Sequence, residues 1–284
     1  MNPTAAFLVS ARNSGNDNPT RLPQILREGG WQVSVIDHEQ IFMLNAQVHL
    51  GPHPANDFDL IWPLGFGPRR SFADRLQMLH LIQPAKLINP PGVYTWAHGK
   101  AAWLEHAPLS LISNQAEQLK AFMQENGGEW VLKPAAGSFG EHVQRISSAA
   151  ELDHILQIQP GYWLLQRFIA DIRSGETRTL ICGSEILGSY LRLPTDQLHA
   201  NLAQQGQALA VDVDQPAQAL IDRVHQQLIH ADIGFASIDT VGGYLMEVNV
   251  ANPGGLATLA QVYGDAFNTE MQARLLSTLA RRFR

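Results

Sequence analysis

The chain holds one cysteine, Cys182, in 284 residues. A single thiol excludes an internal disulfide, and with it the stapled frameworks of small secreted domains. Cys182 sits in the strand-like run RTLICG and reads as a small core residue, not a nucleophile. No apolar run reaches membrane-spanning length. The first residues lack the basic-then-apolar pattern of a leader, so the expected setting is a reducing cytoplasm, away from any membrane. Charge is also sparse. Asp, Glu, Lys and Arg make up 16% of the residues, and the net charge of −6 leaves no basic excess for a general nucleic-acid binder. A local basic pocket for a phosphorylated ligand stays open. What the chain does have is apolar mass: 45% hydrophobic residues are enough for a substantial core, so disorder is excluded and one large domain or two are expected.

Periodicity orders the elements. Residues 5–9 form a short apolar strand, and residues 19–28 a helix with Leu22, Ile25 and Leu26 on one face. WQVSVID and DFDLIWP give two further strands, so the start reads as a small α/β unit with a parallel sheet. Ligands of such sheets lie beyond the carboxyl ends of the strands. The loop after the third strand carries Arg69 and Arg70, a pair suited to a substrate carboxylate or phosphate, or else plain surface charge before a helix capped by Ser71. AKLINPP reads as a short strand, and Pro-Pro-Gly at 90–92 as the exit from the first unit. A helix is expected beyond Gly99, then a helix at 114–125, a strand–loop–strand through EWVLKPAAGSFGEHVQRI, a helix at 149–157, and the strand YWLLQRFI. Two strands joined near Gly183 follow, then a helix at 216–231, the strand GFASIDTV, the strand YLMEVN, and two closing helices at 257–267 and 268–283.

Two stretches carry chemistry. In YLMEVNVANPGG, alternation sends Met246, Val248 and Val250 to one face and Leu245, Glu247 and Asn249 to the other. If a hairpin around Gly242 and Gly243 joins this strand to GFASIDTV, Asp239 approaches Glu247 and Asn249. Three hard oxygen donors then suit Mg²⁺, which commonly takes one or two carboxylates and substrate phosphates. A solvated hairpin face is the plain alternative. The second stretch is KPAAGSFG. Lys133 ends a strand, and Gly137, Ser138 and Gly140 let backbone N–H groups approach phosphate oxygens. The G-K-[ST] ending of a Walker loop is absent, and a connecting hairpin is the alternative.

Taken in order, Lys100, KPAAGSFG, LLQRFI, SGETRTLICGSEILGSYLRLP, the Asn201 loop, SIDT and EVNVANPGG resemble the ATP-grasp ligases, and within them the prokaryotic glutathione synthetase and ribosomal-protein glutamate ligase branch. The resemblance covers most of the chain from about residue 89. It implies mixed α/β and α+β architecture: a small N-terminal parallel α/β domain at 1–95 and two α+β subdomains, 96–165 and 166–284, gripping ATP. It further implies that Lys100 and Lys133 contact nucleotide, that Gly137, Ser138, Phe139 and Gly140 close over the phosphates, and that Gln166, Arg167 and Phe168 lie along adenine with backbone groups offered to it. Glu176 would meet the ribose. Asp239, Glu247 and Asn249 would hold two Mg²⁺ ions, with Mn²⁺ as a substitute. Arg178 and Arg192 would face the γ-phosphate and acyl group as catalytic residues. Substrate contacts would come from Arg69, Arg70, Asn201, Asn252, Gly254 and Gly255.

The chain departs from glutathione synthetases at the substrate end. The phosphate loop reads AAGSFG, nearer to the glutamate ligases. HANLAQQG stands where those enzymes carry Arg-Gly-Asn-Leu-Ala-Ala-Gly-Gly, and Asn252-Pro253-Gly254 where they carry Thr-Ser-Pro. The expected activity is therefore an ATP- and Mg²⁺-dependent carboxylate–amine ligase acting through an acyl phosphate. Its partners would be a small acid and an amino-acid or peptide amine, with no nucleic acid. The alternatives are a ligase adding glutamate to a cofactor tail, a nucleotide-binding homologue without turnover, or a binding module for another phosphorylated ligand. Relatives of this kind form homo-oligomers, although no interface is marked in this sequence.

Overall fold

A computed structural model describes residues 2–10, 16–136, 142–159, 161–194 and 207–282. The expected phosphate-loop residues Gly137, Ser138, Phe139 and Gly140, and Asn201, lie outside the described residues.

The N-terminal sheet is parallel, as alternating strand and helix patterns predicted. β1 (Thr4–Val9) lies between β2 (Gln32–Asp37) and β6 (Leu60–Pro63), with α1 (Asn18–Glu28) crossing between the first two. Between β2 and β6 the chain inserts a separate antiparallel sheet that the sequence reading missed: β3 (Ile41–Leu44), β4 (Gln47–Leu50) and β5 (His53–Pro54). Its tight turn uses Asn45 and Ala46, both at positive φ. After β6 comes α2 (Phe72–Leu79). Ser71 precedes it but does not cap it, because the hydroxyl donates to Glu39 at 3.1 Å. No strand forms over AKLINPP: residues 84–86 make a 3₁₀ turn and only Leu87 bridges to Ile61. Pro84, Pro90 and Pro91 lack the N–H that a ladder needs. The connector continues through α3 (Val93–Trp96) and a 3₁₀ turn at Ala101–His106, not the expected α-helix.

A four-stranded antiparallel sheet follows, in the order β7 (Ser110–Ser113), β10 (Trp163–Arg167), β8 (Trp130–Pro134), β9 (Gln144–Ile146). α4 (Ala116–Asn126) and α5 (Ala149–Ile158) cover it. Leu119, Trp130, Leu132, Leu152, Trp163 and Leu165 make a core of their own.

The largest sheet has five antiparallel strands: β13 (Gln207–Ala210), β12 (Glu185–Leu193), β11 (Glu176–Cys182), β14 (Phe235–Val241) and β15 (Tyr244–Asn249). α6 (Gln215–His230), capped by Asp214, packs Leu220, Val224 and Leu228 with Ile181, Ala236, Ile238 and Val248. On the opposite face, Leu180, Cys182 and Phe235 share a core with Phe7, Leu22 and Trp62 of the N-terminal unit and with α7 (Leu256–Tyr263) and α8 (Asp265–Arg282). The break between these helices falls at Gly264, φ 82°, earlier than the sequence pattern placed it. No helix among the described residues is long and apolar enough to cross a membrane.

Candidate functional site

The expected hairpin is present. Gly242 and Gly243 turn the chain at φ 53° and 82°, a conformation that glycine adopts without a Cβ clash. Asp239 is then the cross-strand partner of Glu247, and Ser237 that of Asn249. Directly opposed residues share a face, so Asp239, Glu247 and Asn249 lie together. One detail differs from simple alternation. A bulge at Asp239–Thr240 leaves Met246 as the extra residue, and Leu245 rotates into the core beside Val248 and Val250. Met246 packs only partly, against Ile172 and Val241.

The same face of β11 and β12 brings up the rest. Register pairs Arg178 with Asp239, and Glu176 with Arg192. Arg178 donates from Nε and Nη2 to the two carboxylate oxygens of Asp239, at 2.8 and 2.6 Å. Arg192 Nη2 donates to Asp239 Oδ2 at 2.8 Å and to Glu176 Oε2 at 2.6 Å. All four side chains are largely withdrawn from water. Burial alone would raise the Asp239 pKa. The charges of Arg178 and Arg192 and their hydrogen bonds outweigh it and hold the carboxylate below its ordinary value. For Glu176, burial prevails over Arg192 and the pKa is raised. Arg178 Nη1 also reaches the Gly254 carbonyl at 3.3 Å.

Two lysines border this face. Gly99 N–H donates to the Val248 carbonyl, which sets Lys100 against the hairpin, 3.4 Å from Glu247 Oε1. Lys133, at the end of β8, is buried and donates to Gln166 Oε1 at 2.8 Å; Gln166 in turn donates to Ser110 Oγ at 3.0 Å. Burial, followed by the nearby charge of Lys100, lowers the Lys133 pKa to about 8.

The other expected residues divide. Arg167 turns its guanidinium away, onto the carbonyls of Gly127 and Asn126 at the end of α4, and over the Trp130 ring. Its own N–H goes to the Leu109 carbonyl and that of Phe168 to Glu129, so neither N–H is open to a ligand. Arg145 lies over the Phe168 ring at 4.3 Å. Arg69 and Arg70 are exposed, and Arg70 pairs with Glu39 at 2.7 Å, so the structure does not bring them into the cluster. Asn252 belongs to a seam with the N-terminal unit: Asn18 Nδ2 donates to Asn252 Oδ1 at 2.9 Å and to the Pro253 carbonyl at 2.8 Å, and Asn16 to the Asn252 carbonyl. Gly255 sits at φ 140°, where a Cβ would meet Tyr190 Oη at 2.9 Å.

Sequence reasoning missed Asn89. Its amide donates to the Phe235 and Val250 carbonyls at 2.8 and 2.6 Å and accepts from Gly234 N and Phe235 N, which ties the start of β14 to the residue after β15. A polar residue before Pro-Pro reads as a turn; only the fold reveals the four-bond tie.

The donor set fits a hard cation. Glu247 is partly open, its carboxylate pairs with the tip of Lys100 at 3.4 Å, and the three donors are all oxygen. No cluster of three or more His, Cys, Asp and Glu exists among the described residues, so any cation here would rest on two carboxylates and an amide. Asn249 Oδ1 already accepts from Ala251 N and Asn252 N at 3.1 and 3.3 Å, and Asp239 is shared with two arginines. Such a site suits an ion that arrives with phosphate ligands of its own.

Residues 100–264, more than half of the chain, match the family "Prokaryotic glutathione synthetase, ATP-grasp domain". The glutathione synthetase of Thermosynechococcus vestitus is 26% identical over 267 residues, covering 90% of this chain and 81% of that one. The glutathione synthetase of Rhodopseudomonas palustris is 29% identical over 199 residues, covering 66% and 63%. Among solved structures, the D-cycloserine synthetase DcsG superposes with a TM-score of 0.71 at 17% identity, covering 99% of this chain and 100% of its own. The ATP-grasp ligase PsnB, complexed with a phosphomimetic variant of its minimal precursor, Mg and ADP, gives 0.69 at 15%, covering 100% and 99%.

Proposed function

The chain belongs to the prokaryotic glutathione synthetase family of ATP-grasp ligases, and from that premise we propose that it joins a small carboxylic acid to an amino-acid or peptide amine through an acyl phosphate, using ATP and Mg²⁺. The observation that carries this reading is the opposition of Asp239 and Glu247 across one hairpin, with Arg178, Arg192, Lys100 and Lys133 around it.

A free carboxylate resists attack by an amine because its leaving group is poor; phosphorylation supplies a better one. The difficulty is charge. Two unit charges 4 Å apart repel by about 4 kcal/mol at an effective dielectric near 20, and the acid must approach a polyphosphate. Lys100 and Lys133 supply cations to the phosphate tail. Lys133 suits this role because a single neutral amide receives it in the described structure and burial favours an anionic partner. Asp239, Glu247 and Asn249 would hold Mg²⁺, which supplies charge neutralisation and in-line orientation of the phosphates when bound. Arg178, fixed from two sides, directs its guanidinium toward the Gly254 carbonyl, where an acyl oxyanion would form. Arg192 holds Asp239 and Glu176 in place, and Glu176 is the carboxylate for the ribose. The domains are taken as 1–95, 96–165 and 166–284, with the second closing over nucleotide, the glycine loop included. Asn201, Asn252, Gly254 and Gly255 would border the acid and amine. A reducing cytoplasm suits the buried thiol of Cys182.

The test is release of phosphate from ATP across a matrix of acids and amines that includes γ-glutamyl dipeptide with glycine, and peptide with glutamate. Release should require one acid and its amine together and should vanish in Asp239→Ala and Glu247→Ala. Release without any amine, or full turnover in the double variant, would overturn the reading.

A further inference from the structure

We propose that Arg75 anchors a separate anion subsite at the carboxyl end of the N-terminal sheet, and that the group it takes is an aliphatic carboxylate. Assigning that carboxylate to the far end of the acid substrate rests on the ligase reading above.

Arg75 lies in α2 and is 4% exposed. Its Nη2 donates to the carbonyls of Phe66 and Pro68 at 2.6 and 2.9 Å. Its Nε and Nη1 are buried and have no hydrogen-bond partner among the described residues, and no described carboxylate pairs with it. Burial lowers the Arg75 pKa, outweighing the charges of Glu39, Asp37 and Asp74, none of which forms an ion pair with it, and Glu39 is itself held by Arg70 and Ser71. Gly67 makes room for the group: a Cβ there would stand 2.6 Å from Nη1. The guanidinium borders a cavity of about 10 Å³, the size of one water, lined by His38, Pro63, Phe66, Phe72, Leu79 and Tyr94 among others. The other polar side chains of the lining are engaged. His38 Nε2 donates to the Leu64 carbonyl at 3.0 Å, and Tyr94 Oη to that of Pro63 at 2.9 Å.

Bracing residues 66–68 accounts for Nη2 alone. It accounts for neither of two further nitrogens, and the charges of Glu39, Asp37 and Asp74 offset the burial of the guanidinium only in part, which is costly. Water would satisfy the N–H bonds and leave the charge. A carboxylate oxygen answers both needs: one oxygen enters the water-sized cavity while the rest of the group stays outside, and the apolar lining of Pro63, Phe66, Phe72 and Leu79 suits a singly charged aliphatic carboxylate better than a phosphate dianion. The position fits as well. It lies beyond the carboxyl ends of β2 and β6, where open α/β sheets receive ligands. It also abuts the reaction site: Gly65 N donates to the Ala251 carbonyl at 2.8 Å, and the Phe66 ring meets His98 edge-on at 4.8 Å, two residues before Lys100.

The protein should show a melting temperature that rises with acetate and not with its neutral isostere acetamide at constant ionic strength, and an equal rise with phosphate or chloride would overturn the assignment of a carboxylate. Arg75→Met should abolish the acetate response while leaving MgATP binding within twofold. Arg75→Lys, which keeps the charge, should retain the fold and weaken the acetate response at least fivefold. Equal responses to acetate and acetamide, or an acetate response unchanged in both variants, would overturn the subsite. With an acid–amine pair that turns over, Arg75→Met should raise KM for the acid at least tenfold and leave KM for ATP unchanged. An unchanged acid KM beside a lost acetate response would mark a free-anion site and overturn the substrate assignment. If wild-type protein binds no MgATP, the ligase reading fails by itself, and the acetate arms still decide the subsite.

Discussion

At the scale of single residues the proposed nucleotide site is held by internal partners that nucleotide would have to displace. Lys133 is buried beside one amide, and its pKa is about 8, lowered first by burial and then by Lys100. Below pH 8 both the folded and the unfolded chain carry this proton, so the folded state bears the full cost of a buried charge. As pH rises from about 8 toward the unfolded value near 10.4, the folded state sheds the proton first and the cost is relieved. Lys133→Met should therefore raise the unfolding free energy of the nucleotide-free protein, read from urea titration at pH 7, by on the order of 1–3 kcal/mol, with the gain fading toward pH 10 and ATP affinity falling sharply. A variant less stable than wild type at pH 7 would contradict this. Asp239 works in the opposite sense. Its lowered pKa gives stability above the ordinary carboxylate range that is lost as pH falls through the folded value, whereas the raised Glu176 carries a cost above its ordinary range that acid relieves. Asp239→Asn leaves Arg178 buried beside a neutral amide and Arg192 with Glu176 as its only carboxylate, and should lose about 3–5 kcal/mol, beyond the loss of turnover. Glu176→Gln should cost much less in the same urea titration.

At the scale of elements, Asn89 is the residue whose removal should tell most. Its four buried hydrogen bonds fasten the open end of the hairpin that carries Asp239, Glu247 and Asn249. Asn89→Ala leaves two N–H groups and two carbonyls unpaired, at roughly 1–3 kcal/mol for each group that water cannot reach. The expected result is a melting temperature lowered by 10 °C or more, on the order of several kcal/mol, together with weaker binding of Mn²⁺–nucleotide. Normal stability would show that the tie is dispensable. The same element shows what the sequence could and could not reveal. The hairpin was legible because Gly-Gly between two apolar runs has one common geometry, and register then brings Asp239 and Glu247 together. The bulge at Met246 was not legible, since it moves Leu245 into the core without altering composition. The β3–β4–β5 insertion was missed because its strands are only two to four residues long, too short for the alternation of Gln47–Leu50, which buries Val48 and Leu50, to stand out as a strand signal. Arg69 and Arg70 drew attention as an adjacent pair, yet the buried guanidinium is Arg75, which sequence presents as one more helix-surface charge. The prolines near Leu87 should have argued against a strand there.

At the scale of the whole molecule, the distribution of cores sets what moves. The N-terminal sheet and the five-stranded sheet share one hydrophobic cluster, from Phe7 and Trp62 through Phe235 to Met271 and Leu275. The four-stranded sheet is built around its own cluster of Leu119, Trp130, Leu132, Leu152, Trp163 and Leu165. Ile172 and Val241, with Phe168, Ile169 and Met246, form a minor junction beyond β10. Elements that share a core open together, and those with a separate core open on their own at lower free energy. On the proposed ligase reading, the sheet carrying Lys133 and Gln166 is then the body expected to close on nucleotide, with Asp239 and Glu247 on the stationary one. Hydrogen exchange followed by mass spectrometry should find β7, β8 and β10 exchanging faster than β11 and β14 in the free protein. MgATP should protect the first group strongly and leave β1 and β6 nearly unchanged. The Lys133→Met variant should lose that protection even at nucleotide concentrations that saturate the wild type. Uniform exchange across both sheets, or protection spread equally over β1, would mean that the molecule responds as one rigid body and that closure is not built into its division of cores.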